Sequence, residues 1–167
     1  MEKITIINTG GTFNKDYQLD GTLKVRNDNK IIKKIVKKVF RENKKNIKIK
    51  GILYKDSLEI TTDDREKLFN LINEDVNSKI IIVHGTDTIT ETAEYLSSKK
   101  INKEIIITGS MVPFKINKIE AVGNLMAAYG ALKTNDFKEI HICINGIVES
   151  FKKIVKDKDK NRFVEEK

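Results

Sequence analysis

The stretch KIIIV (residues 79–83) runs directly into HGTDT (residues 84–88), and this strand-to-turn sequence decides the fold. The first segment is apolar without alternation, as is typical of a strand buried on both faces of a parallel sheet. The second supplies turn and hydroxyl residues, and Thr88 and Glu91 have the spacing of a helix capping box. The stretch therefore predicts a buried strand, a polar turn and then a helix.

The same alternation of strand and helix recurs on both sides of this stretch. Apolar runs predict four further strands, at residues 4–7, 47–53, 105–107 and 139–144. Apolar spacings of three and four predict helices at residues 28–43, after a cap at Thr61 or Thr62, and at residues 119–132. Residues 152–167 show no convincing period. Strands that alternate with helices predict an α/β fold, a three-layer sandwich with a mostly parallel, doubly wound sheet.

Length and composition are those of a single globular domain, which we expect to span residues 1–167. Apolar residues make up 39% of the chain and charged residues 34%. No stretch approaches the roughly 20 apolar residues of a membrane span, and the first residues lead into a strand without a secretory leader. Cys143 is the one cysteine, so an internal disulfide is excluded. We expect a cytoplasmic protein without a membrane partner.

The net charge of +8 raises the question of a nucleic-acid partner. The positive residues concentrate around the helix predicted at residues 28–43. They are Lys33, Lys34, Lys37, Lys38, Arg41, Lys44, Lys45, Lys48 and Lys50. No interleaved aromatic residues or recognised binding motif accompany them. The pattern favours a solvated lysine-rich face over a phosphate-binding surface, so we expect no nucleic-acid partner.

Ligands of open parallel sheets bind beyond the carboxyl ends of the strands, which selects four loops. They are residues 9–21, 55–59, 84–88 and 109–114. In the first, Gly10 and Gly11 allow a close backbone approach and can present N–H groups to a developing negative charge. Thr12 follows them with a hydroxyl. The glycine spacing matches neither a Walker loop nor a dinucleotide fingerprint, although phosphate sites use similar loops.

The loop at residues 84–88 carries a second hydroxyl and a carboxylate at the start of a helix. Asp87 can balance a substrate ammonium group, and the helix N-terminus favours bound anions. Helix capping by Thr88 is the alternative explanation for part of this motif. For His84, a packed or hydrogen-bonded histidine at a strand end is favoured over an acid/base.

TGGT (residues 9–12) and HGTDT, with ETA (residues 91–93) after it, resemble the two signature motifs of bacterial-type L-asparaginases. TGSMVP (residues 108–113) also resembles the loop after the fourth strand of that family. The resemblance covers nearly the whole chain but only the family's N-terminal catalytic domain. In full-length members a second domain supplies an acidic residue to the neighbouring subunit's site.

The resemblance implies four catalytic residues. Thr12 matches the threonine nucleophile, and Tyr17 matches the tyrosine of the loop that closes over the substrate. Thr86 matches the second catalytic threonine, and Lys156 matches the lysine paired with it. The implied reaction is hydrolysis of the side-chain amide of asparagine or a related small amide, with release of ammonia. No metal or organic cofactor is required.

The resemblance also implies substrate-binding residues. Backbone donors near Gly11 and Thr86 would stabilise the oxyanion, Ser57 would hold the α-carboxylate, and Asp87 would bind the α-amino group. The chain departs from the family at Leu58, where glutamine or another polar residue is common. Leu58 either lines the site, which would weaken carboxylate recognition, or points into the core while Glu59 faces the site.

Two classes of function follow. The first is the amidohydrolase, and the alternative is a non-catalytic amino-acid-binding or interaction domain on the same scaffold. Related enzymes build their sites between subunits, and two-fold dimers are the commonest symmetric assemblies, so we expect a homo-oligomer, most simply a dimer.

Overall fold

The computed structural model describes residues 3–40 and 46–166. The strands, in chain order, are β1 (Ile4–Gly10), β2 (Lys15–Tyr17), β3 (Leu23–Val25), β4 (Ile47–Lys55), β5 (Lys79–Val83), β6 (Glu104–Thr108), β7 (His141–Ile144), β8 (Ile147–Ser150), β9 (Ile154–Asp157) and β10 (Arg162–Glu165). Six of them form the main sheet in the order β4-β1-β5-β6-β7-β8. All neighbours in it are parallel except β7 and β8.

Helices cover both faces of this sheet. They are α1 (Lys30–Ile35), α2 (Thr62–Asn73), α3 (Ile89–Ser97) and α4 (Lys118–Thr134). Apolar residues of α1 and α4 pack on one face, and those of α2 and α3 pack on the other. The predicted three-layer α/β sandwich is confirmed. None of the helices in the described residues has the length and apolar character needed to cross a bilayer.

Strand β5 shows why the apolar run at residues 79–83 is informative. Ile81 and Val83 belong to the core under α1 and α4, whereas Ile80 and Ile82 belong to the core under α2 and α3. All four side chains are fully buried. A strand with helices on both faces needs apolar residues at every position, so alternation is lost. The buried central strand is confirmed.

The connections of β1 create the crevice in which the candidate residues lie. From β1 the chain runs to the edge strand β4 and then returns past β1 to β5, on its other side. The direction of winding therefore reverses between β1 and β5. Ligands of doubly wound sheets bind at this point, outside the carboxyl ends of the two strands. The loops after β1 and β5 flank it.

Several elements differ from the predictions. β8 and the hairpins β2–β3 and β9–β10 were not predicted, because strands of only three or four residues carry no readable period. The helix predicted at residues 28–43 begins at Lys30, and after Ile35 it continues as a π-helical turn, Val36–Phe40. Its predicted end at residues 41–43, like Arg41, Lys44 and Lys45, lies outside the described residues.

One predicted helix cap is wrong and another is confirmed. The Thr88 side chain does not cap α3, because its hydroxyl donates to the Ser57 carbonyl oxygen at 2.8 Å. At α2, by contrast, Thr61 and Asp64 form a complete capping box. The Thr88 hydroxyl instead joins the loop after β5 to the loop after β4, which matters for the site.

Candidate active site

Three loops meet at the crevice because two of them present glycine at the contact. Gly11 has a φ of +68°, and a Cβ at this position would overlap the backbone of Gly85. A Cβ on Gly85 would in turn lie 2.6 Å from both Cβ and Oγ of Ser57. Side-chain atoms are excluded on both sides, so the loops after β1, β4 and β5 pack directly against one another. The residues beside these glycines are thereby brought into one place.

Thr12 follows Gly11 and begins a single 3-10 turn, Thr12–Asn14. The next two side chains are buried, and Asn14 Nδ2 donates to the carbonyl oxygens of Arg26 at 2.6 Å and Asp28 at 3.1 Å. Thr12 itself is half-buried. Among the described residues, none forms a hydrogen bond with its hydroxyl. Thr12 thus has a fixed backbone and an uncommitted side chain at the crevice.

Thr86 and Asp87, in the loop after β5, form a connected group with Lys156 of β9. Lys156 Nζ lies 3.0 Å from Thr86 Oγ1 and 2.6 Å from Asp87 Oδ1. Thr86 is buried, whereas the Asp87 side chain is exposed. An ammonium group donates and a carboxylate accepts, so Lys156 joins the hydroxyl to a counter-charge. The group also lies at the N-terminus of α3, which favours negative charge.

Ser57 lies beneath this group and is 1% exposed. Its Oγ accepts a hydrogen bond from the Asp87 N–H at 3.3 Å, and its carbonyl accepts the Thr88 hydroxyl. The hydroxyl hydrogen of Ser57 is therefore left to donate to another acceptor. The first loop and Ser57 are joined further through Lys55, whose carbonyl accepts the Gly11 N–H at 2.9 Å.

That last hydrogen bond limits what Gly11 can do. Its N–H is committed to Lys55, so Gly11 contributes close approach and not a free donor. Tyr17 lies apart from the other candidate residues, in the β2–β3 hairpin, and is 59% exposed. Within the described part of the chain its hydroxyl makes no hydrogen bond. The crevice thus brings together the loops of Thr12, Ser57 and Thr86, with Lys156, but not Tyr17.

Leu58 resolves one of the alternatives left open by the sequence. Its side chain is 74% exposed, and Glu59 is exposed as well. The alternative in which Leu58 points into the core is wrong. The cause is local, since a 3-10 turn at Ser57–Glu59 turns Ser57 inward and its two successors outward.

His84 is a structural residue in this arrangement, as the sequence favoured. It is fully buried, with Nδ1 2.8 Å from the Gly85 carbonyl and Nε2 2.9 Å from Thr92 Oγ1. A carbonyl only accepts, so Nδ1 carries the hydrogen and Nε2 accepts from the Thr92 hydroxyl. Thr92 Oγ1 then accepts from Arg65 Nε at 3.1 Å. Burial, reinforced by the Arg65 charge, lowers the pKa of His84 to about 4.

Two polar residues of α4 hold the loop after β6, and neither was predicted to do so from the sequence. Glu120 accepts hydrogen bonds from the N–H groups of Met111 at 2.9 Å and Val112 at 3.0 Å. Asn124 Nδ2 donates to the Gly109 carbonyl at 2.9 Å. The Asn145-Gly146 pair, a strong hairpin-turn signal, was missed as well. It would have located β8.

Comparisons with known proteins identify the family and the fold. A family model described as "Asparaginase, N-terminal" matches residues 3–162. A glutamyl-tRNA(Gln) amidotransferase subunit of Methanosphaera stadtmanae is 34% identical over 105 residues, which are 60% of this chain and 24% of that protein. Glutaminase-asparaginase of Pseudomonas fluorescens biotype A is 34% identical over 80 residues, 46% of this chain and 22% of that protein.

Solved structures extend the similarity over nearly all residues. The thermostable L-asparaginase from Thermococcus kodakarensis has a TM-score of 0.83 at 25% identity and covers 98% of this chain. A probable cytoplasmic L-asparaginase from Campylobacter jejuni has a TM-score of 0.81 at 24% identity and covers 99%, which supports the fold. The chain corresponds to 51% and 53% of those two chains, so it spans about half their length.

The buried neutral His84 should make the protein sensitive to acid. An unfolded histidine has a pKa of about 6.5, well above the pKa of His84 in the folded protein. The contribution of His84 to the free energy of unfolding is therefore complete above about pH 6.5 and is lost as the pH falls towards 4, a decrease of about 3 kcal/mol. Urea unfolding of the parent between about pH 7 and pH 4.5 should show this decline. The decline should be shallower in His84→Asn, which lacks the titrating ring. Parallel curves for the two proteins would contradict the assignment.

Proposed function

The chain belongs to the asparaginase family, and from this we propose that it is an amidohydrolase acting on asparagine or a related small amide. The observation that carries the proposal is the Gly11–Gly85 contact. It packs the loop that carries Thr12 against the loop that carries Thr86 and Asp87, to which Lys156 is bonded, and this supports a shared site. A nucleophile facing a hydroxyl, an amine and a carboxylate is suited to acyl transfer.

The proposed reaction has two halves. In the first, Thr12 Oγ1 attacks the side-chain carbonyl carbon of the amide, and the C–N bond breaks after the nitrogen has gained a proton. Ammonia leaves and an ester to Thr12 remains. In the second, water attacks the ester, Thr12 regains its proton, and the acid product is released. One water is consumed for each ammonia formed.

A threonine hydroxyl is a poor nucleophile unless a neighbouring group accepts its proton. We assign Thr86, which lies 3.0 Å from Lys156 Nζ, to this proton pathway, with Asp87 balancing the lysine charge. Tyr17 would take part only after the β2–β3 hairpin moves over the crevice. Such a movement would also exclude water from the acyl intermediate.

Recognition of the substrate is assigned to the loops after β4 and β5. Ser57 has a hydroxyl hydrogen to donate to an α-carboxylate, and Asp87, which uses Oδ1 for Lys156, has its second oxygen to accept from an α-ammonium group. The N–H groups of Gly11 and Asp87 are already bonded within the protein, so we assign the oxyanion to the N–H groups of Thr12 and Thr86, which have no hydrogen-bond partner among the described residues. Each such donor is typically worth about 3 kcal/mol.

A non-catalytic amino-acid-binding domain is the second candidate. It is favoured by the Thr12 hydroxyl, which has no proton acceptor among the described residues. A cytoplasmic location is part of the main proposal. It is supported by Cys143, a buried free thiol, and by the description of the Campylobacter jejuni relative.

Thr12→Ala tests the nucleophile. We expect ammonia release from asparagine to fall by at least about a thousandfold, because the attacking atom is gone. The free energy of unfolding should change by less than about 1 kcal/mol, because a half-buried side chain without hydrogen bonds contributes little. Thr12→Ser, which retains a hydroxyl, is the matched control and should keep measurable turnover.

Full turnover in folded Thr12→Ala would place the nucleophile elsewhere. Asparagine binding by calorimetry, without ammonia release by the parent protein, would favour the second candidate.

Leu58→Gln tests recognition of the carboxylate. The exposed leucine cannot donate a hydrogen bond, and a glutamine amide there would add one, so kcat/KM for asparagine should rise about tenfold. The melting temperature should hold, since no core contact is lost. Val76→Gln is the matched control, because Val76 is also exposed but lies before β5, at the amino ends of the strands and away from the crevice. An equal response in both variants, or none in Leu58→Gln, would remove Leu58 from the site.

We propose a two-fold dimer that covers the crevice face. Its support is a set of exposed apolar side chains in the segments that follow the carboxyl ends of β1, β4 and β6, namely Tyr17, Leu19, Leu58, Ile116 and Ile119. Clustered exposed apolar groups indicate an interaction surface. Light scattering should give twice the 19.1 kDa protomer mass, and Ile119→Lys should lower it more than Val76→Lys. A single-protomer mass at every concentration would be decisive against the dimer.

A further inference from the structure

The turn between β7 and β8 carries a residue that the reaction chemistry does not use directly. Asn145 has a φ of +52°, in the left-handed region, and makes hydrogen bonds to three residues of two separate segments. Its N–H donates to Asn124 Oδ1 at 3.0 Å, and its Nδ2 donates to Glu120 Oε1 at 3.2 Å. Its Oδ1 accepts from the Phe163 N–H at 3.3 Å. One residue thus joins α4 to the β9–β10 hairpin.

On the β9–β10 hairpin, the hydrogen bond between Phe163 and Asn145 lies directly opposite Lys156. Phe163 of β10 pairs with Lys156 of β9 in the antiparallel ladder, and residues that pair this way project from the same face. The Phe163 N–H is directed to Asn145, which ties this point of the two-stranded sheet to the main sheet. The position of Lys156 along the crevice therefore depends on where Asn145 holds Phe163.

On the α4 side, the same network fixes the surroundings of Thr86. Asn124, which accepts from Asn145, also donates to the Gly109 carbonyl. Gly109 packs so closely on the His84 carbonyl that a Cβ would not fit, and that Cβ would lie 3.6 Å from Thr86 Cγ2. Both partners of the 3.0 Å contact between Lys156 and Thr86 are thereby linked to Asn145.

We propose that Asn145 is a positioning residue that sets the hairpin so that Lys156 reaches Thr86 and Asp87. The effect on catalysis rests on the proposed amidohydrolase function. The positioning of Lys156 by Asn145 does not depend on that function. The sequence signal is the Asn145-Gly146 pair, which needs a left-handed residue but not an asparagine side chain. The Asn145 side chain is instead used for its hydrogen bonds with Glu120 and Phe163, which a turn alone does not require.

The hairpin has an apolar anchor that is independent of Asn145. Phe163 and Ile154 are each 2% exposed in the core under α2 and α3. Loss of the Asn145 side chain should therefore shift the hairpin without releasing it. A shift of this kind acts on Lys156, whose side chain is 18% exposed, and leaves the substrate-binding loops after β4 and β5 in place.

The experiment replaces a left-handed asparagine with glycine at two positions. Asn145→Gly keeps the backbone conformation and removes the side chain that joins α4 to the hairpin. Asn161→Gly is the matched control, because Asn161 has a φ of +48° and lies exposed in the β9–β10 turn. We expect kcat to fall about tenfold in Asn145→Gly with KM within about twofold, since small displacements of a catalytic group reduce rate more than binding. Asn161→Gly should retain kcat.

A double-mutant cycle separates positioning from general stability. In a Lys156→Met background, Asn145→Gly should change kcat by less than about twofold, because the group it positions is absent. Its effect on the melting temperature should remain the same in both backgrounds. An equal fractional loss of kcat with and without Lys156 would overturn the proposal, as would an equal loss in Asn161→Gly.

A second readout does not need turnover. Acetylation of Lys156 by acetic anhydride, followed by peptide mass spectrometry, should be severalfold faster in Asn145→Gly than in the parent, with exposed Lys153 as the internal reference. If the parent releases no ammonia but Lys156 labelling responds, the proposed function fails and the positioning stands. If ammonia is released and Lys156 labelling is the same in both proteins, the positioning fails and the proposed function stands.

Discussion

The contact between Gly11 and Gly85 is the constraint on which the rest of the site depends. Neither position has room for a methyl group, and Ser57 occupies the space behind Gly85. Folded interiors are packed densely enough that such a contact cannot be loosened locally without moving whole loops. The reversal of winding between β1 and β5 brings the loops after these strands near one another. Because both contact positions are glycine, the backbones of the two loops can then touch directly.

Threonine hydroxyls connect the carboxyl ends of the strands around this contact. Thr9 Oγ1 of β1 donates to the Val83 carbonyl of β5 at 3.0 Å, and Thr108 Oγ1 of β6 donates to the Cys143 carbonyl of β7 at 2.6 Å. Strand ends have carbonyls that the ladder no longer satisfies, and a buried hydroxyl satisfies them without extending the sheet. The loops therefore start from fixed points, which a site built on loops requires.

The predictable part of this structure is the part in which burial dictates residue type. Both faces of β5 are covered, so residues 79–83 could be recognised as a buried strand from their composition. The position of the loop after β5 could then be predicted from the end of the strand. The hydrogen-bond partner of Thr88 could not be inferred, because a hydroxyl at a helix start can accept from a local backbone N–H or donate to a distant carbonyl. The hydrogen bond from the Gly11 N–H to the Lys55 carbonyl could not be predicted either, and nor could the hydrogen bonds of Asn145. In both cases the partners are distant in sequence and no local pattern identifies them. Lys156 could be nominated by resemblance, but its hairpin has too few apolar residues to be read from periodicity.

The sheet order also has a consequence for how the chain folds. β1 is synthesised first, yet both of its neighbours, β4 and β5, come later, and the contact of Gly11 with Gly85 spans more than seventy residues of sequence. A nascent chain therefore carries an unpaired, isoleucine-rich strand until its partners have emerged, which exposes it to non-native pairing. The hairpin with Lys156 follows every strand of the main sheet. The lysine of the site is therefore carried by the segment synthesised after all six strands of the sheet, and its contacts with Thr86 and Asp87 can form only after that segment has emerged.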